Sequence, residues 1–196
     1  MEDEWAPYAS TWDSDPAARL YAQEAFGSLT ALLDRTDLGL AGAEVLDFGA
    51  GTGLLTERLV DAGAAVVAVD TSAAMIEVLQ AKIAERGWTG VTAGVDLPGP
   101  SLRFDLVACS SVCSFLEDYP GAARDLAGRL RPGGLFVQWD WEGAVDEEGE
   151  THGLTRAEIS DALTGAGLGG VAVETGFSVD YEGETMAPLM GYGTRM

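Results

Sequence analysis

Three glycines separated by single residues, Gly49, Gly51 and Gly53, follow the apolar pair Val45-Leu46 and the acid Asp47. Glycine lets a chain turn tightly from strand to helix and lets a ligand lie against the main chain. A dinucleotide-binding turn wants G-x-G-x-x-G, with the pyrophosphate on the helix N-terminus. Leu54 stands where the third small residue belongs. Asp47 would repel a diphosphate there, but it suits an ammonium group. The residues therefore call for a ligand with a nucleoside, a positive amine and no phosphates, which disfavours NAD.

A second acid supports that choice. The β-branched run AAVVAVD ends in Asp70, and an acidic side chain at the tip of a second parallel strand can accept hydrogen bonds from both ribose hydroxyls. S-adenosylmethionine (SAM) fits the whole description. With VLDFGAGTG, VVAVD followed by TSAAM, RFDLVACSS and RLRPGGLFVQWD in this order, the chain resembles the class I SAM-dependent methyltransferases over roughly residues 43 to 140. TWDSDPAARLYAQEAF before that core and THGLTRAEISDALTGAGL after it are similar to the flanks of small bacterial and archaeal methyltransferases. The C-terminal TMAPLMGYGTRM departs from the aromatic-rich final strand of that group.

The resemblance implies a cofactor site residue by residue. Asp47, Gly49, Gly51 and Gly53 would take the methionine moiety and form the turn, and Asp70 would take the ribose. Thr71, Ser72 and Met75 would lie beside ribose and adenine. Asp96 with Leu97 would lie near the adenine amine, and Ser110 would face the methionine end. S-adenosylhomocysteine (SAH) would be the product. For Met75 the competing reading is core packing, and for Asp96 an ordinary loop carboxylate.

Methyl transfer from a sulfonium is an in-line displacement whose electrophile is already activated. Alignment of donor and acceptor can account for about 7–11 kcal/mol of such a barrier, so neither a catalytic triad nor a metal is required. On the acceptor side, His152 is the single histidine and the candidate base or substrate contact, against a purely structural role. Trp139, Asp140 and Trp141 are candidate substrate-wall residues, against packing at the sheet edge. Trp5, Tyr8 and Trp12 are candidates for a lid, against docking of the first helix. The run ACSSVCSF lacks both the Asn/Asp-Pro-Pro-aromatic motif of amino-nucleobase methylation and the Pro-Cys pair of cytosine C5 enzymes.

Composition narrows the partners. The net charge is −21, with Lys82 the one lysine. Such a surface repels phosphate backbones, which argues against DNA and RNA as partners. A small-molecule acceptor is expected, handled by a monomer or homodimer. No apolar run reaches the length of about 18 residues that a membrane span needs, and the acidic MEDEWAP lacks the order of a signal peptide, so a cytoplasmic enzyme is expected. Cys109 and Cys113 with one histidine do not make a zinc site, and reduced thiols are expected rather than a disulfide.

The elements that must position these residues alternate. Asp15-Pro16 opens a helix to about Asp34. A strand to Phe48, a helix from Leu54 to Ala62, a strand from Ala65 to Val69 and a helix from Ser72 to Arg86 follow. Strands are expected over Trp88 to Gly94 and Arg103 to Cys109, then a helix from Asp118 to Leu130 and a strand from Leu135 to Trp139. Thr155 and Glu158 make a capping box opening a helix to Ala166. Val171 to Val179 and Thr185 to Arg195 read as a final hairpin, and the acidic loop from Asp140 to Thr151 as mobile. This order predicts one α/β domain with a Rossmann-like, doubly wound, mostly parallel sheet. The resemblance implies seven strands with an antiparallel strand at the edge and helices on both faces. Residues 1–36 would form a lid and helix, 43–140 the cofactor core and 141–196 a C-terminal helix and hairpin. A noncatalytic SAM- or nucleoside-binding protein on the same fold is the alternative function, and an NAD-linked oxidoreductase comes third.

Overall fold

The computed structural model describes residues 3–145 and 151–196. The chain divides into two compact units, Met1–Leu102 and Arg103–Met196.

The first unit begins with a short 3-10 turn, Ala6–Tyr8, and α1, Ala9–Trp12. Helix α2, Pro16–Leu33, starts as its sequence dictates: Asp15 accepts from the amides of Ala17 and Ala18 at 2.8 and 3.3 Å, with proline at the first helical position. Then come β1 (Glu44–Phe48), α3 (Leu54–Asp61), β2 (Ala65–Val69), α4 (Ala73–Arg86) and β3 (Val91–Gly94). Ser72 caps α4 by accepting from Met75 N at 3.2 Å, and Gly87 ends it in the left-handed conformation at φ 64°. The three strands run parallel with β2 in the middle, pairing Asp47 with Ala68 and Val66 with Val91. Val45, Leu46, Leu59, Ala68 and Leu79 are fully buried, so both faces of the strands are covered.

In the second unit, β4 (Phe104–Ser110) leads through a 3-10 turn, Cys113–Phe115, to α5 (Tyr119–Ala127) and β5 (Leu130–Asp140). A two-residue ribbon, β6 (Ala144–Val145) with β7 (Thr151–His152), precedes α6 (Arg156–Gly165). Strands β8 (Leu168–Thr175), β9 (Val179–Tyr181), β10 (Glu184–Met186) and β11 (Leu189–Arg195) follow, with β9 and β10 forming a separate small hairpin. The capping box at Thr155 and Glu158 is present.

The fold is a seven-stranded, mostly parallel Rossmann-like sheet, ordered β3-β2-β1 in the first unit and β4-β5-β11-β8 in the second. The antiparallel strand is not at the edge: β11 lies between β5 and β8, antiparallel to both. Its Leu189, Met190 and Gly191 are buried, whereas β8, with a neighbour on one side only, is mostly half-exposed.

Several boundaries differ from the sequence reading. Strand β3 starts at Val91, because Gly87 and Gly90 hold the intervening residues in turns at φ 64° and 81°. Helix α5 ends at Ala127, before Gly128, and β5 begins at Leu130. The Pro132-Gly133-Gly134 segment is thus part of the strand, accommodated by a register shift between Phe104 and Leu106. Strand β8 ends at Thr175, and the expected return strand is divided between β10 and β11. Of the loop expected to be mobile, residues 146–150 lie outside the described residues.

Candidate cofactor site

The turn after β1 holds three left-handed glycines, Gly49, Gly51 and Gly53, at φ 77°, 54° and 87°. The amides of Gly49 and Ala50 donate to the Val69 carbonyl at 2.8 and 3.0 Å, anchoring the turn to the end of β2. A Cβ on Gly51 would meet no atom within 4 Å, so a ligand can approach the backbone here. Gly53 caps α3, and a Cβ there would run into Leu79 Cδ1.

Asp47 is fully buried at the base of this turn. Its Oδ2 accepts from Thr56 Oγ1, while its Oδ1 is buried with no hydrogen-bond partner among the described residues. Burial, joined by the nearby charge of Asp70, raises its carboxyl to about 6 against the Thr56 hydrogen bonds. An orphaned buried carboxylate oxygen is costly unless a donor reaches it, which is what the ammonium of SAM would supply.

Asp70 folds over the same turn. Its Oδ2 accepts from Gly51 N at 2.8 Å and its Oδ1 from Ser72 N at 2.9 Å. Each carboxylate oxygen keeps a further lone pair, so two ribose hydroxyls still find acceptors. Thr71 is exposed beside it, and Ser72 is buried as the α4 cap. Met75 is buried at 3% exposure, so in this structure it packs in the core. Asp96 and Leu97 are exposed on the loop after β3.

The N-terminal segment is tied to this turn through residues that the sequence did not single out. Asp3 Oδ2 accepts from Ser72 Oγ at 2.9 Å, and its Oδ1 accepts from Trp5 N and Ala6 N at 3.2 and 3.1 Å. Asp13 Oδ1 accepts from Thr52 Oγ1 at 2.6 Å, and Asp13 Oδ2 pairs with Lys82 Nζ at 2.7 Å. Trp5 packs against two aromatic rings, tilted at 6.4 Å from Tyr8 and edge-on at 5.9 Å from Trp12. Tyr8 is 55% exposed, and α1 packs on α4.

In the second unit Ser110 ends β4 and is half-buried. Strand β5 stops at Asp140, so the two tryptophans do not share a face: Trp139 is fully buried and Trp141 is 41% exposed. The side chain of Trp139 packs into the sheet beside Gly176, leaving Trp141 the accessible one. Asp140 is also fully buried, accepting from Ser114 N and Gln138 Nε2, each at 3.0 Å. Tyr119 Oη donates to Gln138 Oε1 at 2.6 Å, which completes a buried polar chain. Burial raises Asp140 to about 6, with the Ser114 hydrogen bond opposing. The thiol of Cys113 is raised by its hydrogen bond with Cys109, by burial and by Asp140. His152 is exposed on β7.

The fold is of the Rossmann-like kind seen in solved methyltransferase structures. Residues 46–138 match the methyltransferase domain family. It is 34% identical over 110 residues to a ubiquinone biosynthesis O-methyltransferase of Methylobacterium nodulans, covering 52% of this chain and 42% of that protein. The chain thus spans about half the length of the curated relatives that it matches. Among solved structures it is similar to magnesium protoporphyrin IX methyltransferase of Synechocystis PCC 6803 with bound SAH. That match has a TM-score of 0.71 and 20% identity over 90% of this chain and 84% of that one. It is also similar to the methyltransferase in the complex with the Haloferax volcanii Trm112 methyltransferase activator, with a TM-score of 0.70 and 19% identity over 99% and 98% of the two chains.

Proposed function

We propose that this chain binds SAM through the turn after β1 and transfers its methyl group to an O, N or S atom of a small molecule. The observation that carries the reading is the buried Asp47 oxygen without a donor, at the base of a turn whose Gly51 is open to a ligand. When bound, SAM supplies a methyl group already activated by the sulfonium. The chain's residues hold and orient: Asp47 accepts from the ammonium, Gly51 presents bare backbone, and Asp70 takes the ribose hydroxyls while fixing Gly51 N. Alignment of donor and acceptor can contribute on the order of 7–11 kcal/mol to the displacement, and the acceptor's proton leaves to solvent or to a nearby base.

The similarity to quinone and porphyrin methyltransferases makes hydroxylated aromatic compounds and ring carboxylates the first acceptors to try. The charge of −21 weighs against nucleic acid as the acceptor. Among the described residues no helix is long and apolar enough to cross a membrane. Calorimetry with SAH and with NADH tests the cofactor, and turnover of labelled SAM over an acceptor panel tests the reaction. Tight SAH binding with no turnover on any acceptor would favour the noncatalytic SAM-binding protein. Binding of NADH and not of SAH would sink both readings.

A further inference from the structure

Thr52, between Gly51 and Gly53, is held at both of its polar ends. Its hydroxyl donates to Asp13 Oδ1 at 2.6 Å, and its carbonyl accepts from Lys82 Nζ at 2.9 Å. Lys82 and Asp13 are themselves paired at 2.7 Å, which closes a ring of three residues from three elements: the C-cap of α1, the glycine turn and α4. Thr52 is 1% exposed and the Lys82 side chain 11%, so the bond between them is shielded, while the Asp13 carboxylate keeps 36% exposure. A lysine suits the place because its compact ammonium has three donors that can point to two acceptors, whereas a planar guanidinium has a fixed fork. In a chain with 32 acids and 11 lysines and arginines, the single lysine is spent on this contact.

We infer that Lys82 and Asp13 are positioning residues for the cofactor turn, acting through Thr52. The inference rests on the reading of that turn as the SAM site. Glycines on either side leave the turn many conformations, and a fixed Thr52 removes most of them. Gly51 then presents its open side to a ligand before one arrives, so less ordering is left to be done on binding. Because Asp13 belongs to the N-terminal segment, the same ring couples that segment to cofactor affinity.

The test compares Lys82→Met, Lys82→Arg and Thr52→Val in the full chain. The last keeps the shape of Thr52 while removing the bond to Asp13. SAH affinity is read by calorimetry, and amide exchange of Gly51 and Gly53 by NMR without ligand. We expect Lys82→Met to weaken SAH binding about tenfold or more and to speed exchange at both glycines, with Lys82→Arg intermediate and Thr52→Val weakened in the same direction. Unchanged SAH affinity and unchanged glycine exchange in folded variants would overturn the inference. If the native chain binds no SAH, the reading of the site fails by itself. Glycine exchange then decides the clamp: faster exchange in Lys82→Met and Thr52→Val upholds it, and unchanged exchange overturns it.

Discussion

Asp47 and Asp70 flank one glycine turn and are satisfied in opposite ways. Both oxygens of Asp70 accept from backbone amides, Gly51 N and Ser72 N, whereas one oxygen of the fully buried Asp47 has no partner. The two carboxyls therefore answer differently to mutation.

For Asp47 the pH response has a definite sign. Burial, with a further contribution from Asp70, raises it from the ordinary carboxylate range to about 6. Its share of folding stability is thus fully present below about pH 4 and is lost as pH rises through 6. Ligand binding runs the other way, because an ammonium needs the carboxylate. SAH affinity should rise between pH 5 and 7.5, and binding near pH 6 should release protons, visible as buffer-dependent heats. Asp47→Asn should flatten both. An affinity independent of pH across that range would remove Asp47 from the ammonium.

Asp140 separates stability from binding. It is also raised to about 6 by burial, so melting temperatures should fall as pH rises through that value. Asp140→Asn should reduce that slope while leaving the pH dependence of SAH affinity in place. Melts and calorimetry on one set of samples check the pair of outcomes.

Asp70→Ala should weaken SAH binding by about 1.5–3 kcal/mol, the usual worth of hydrogen bonds to a charged group. It also frees Gly51 N, so its effect should exceed that of Asp70→Asn, whose remaining oxygen can still accept. Equal affinity in native and Asp70→Ala proteins would refute the ribose assignment.

Gly53→Ala should cost on the order of 1–3 kcal/mol, because φ 87° is strained for any side chain and its Cβ would meet Leu79. Gly42→Ala makes the control. Its φ is 79° but no atom lies within 4 Å of the added Cβ, so denaturation should show a smaller loss.

Deleting residues 1–14 should lower SAH affinity as well as turnover, since it removes Asp3 from Ser72 and Asp13 from Thr52 and Lys82. A lid acting on the acceptor alone would spare the affinity. A staple alone would show as a lower melting temperature with unchanged binding once folded.

The glycine turn and the helix caps were legible because each is written in adjacent residues. Asp15 with Pro16 and Thr155 with Glu158 are local signals, and their partners lie within three residues. Contacts between distant acids and hydroxyls carry no such mark. In a chain with 32 acidic residues, nothing in sequence distinguishes Asp3 or Asp13 from a solvated carboxylate. The chain from Tyr119 through Gln138 to Asp140 is equally hidden, since it joins a helix to a strand. Trp139 and Trp141 looked alike because alternation places two residues on one face only while the strand continues, and here it stops between them.

The interior place of β11 bears on how the chain reaches its native state. Strand β5 pairs with β11 rather than directly with β8, and Leu189 meets Asp140 while Thr194 meets Leu135. Until β11 arrives, β5 and β8 present unpaired edges, and closing so long a loop is slow compared with the local steps that build α5 and α6. Refolding should therefore pass through a species with a formed glycine turn and an open sheet, in which self-association competes with insertion of the last strand.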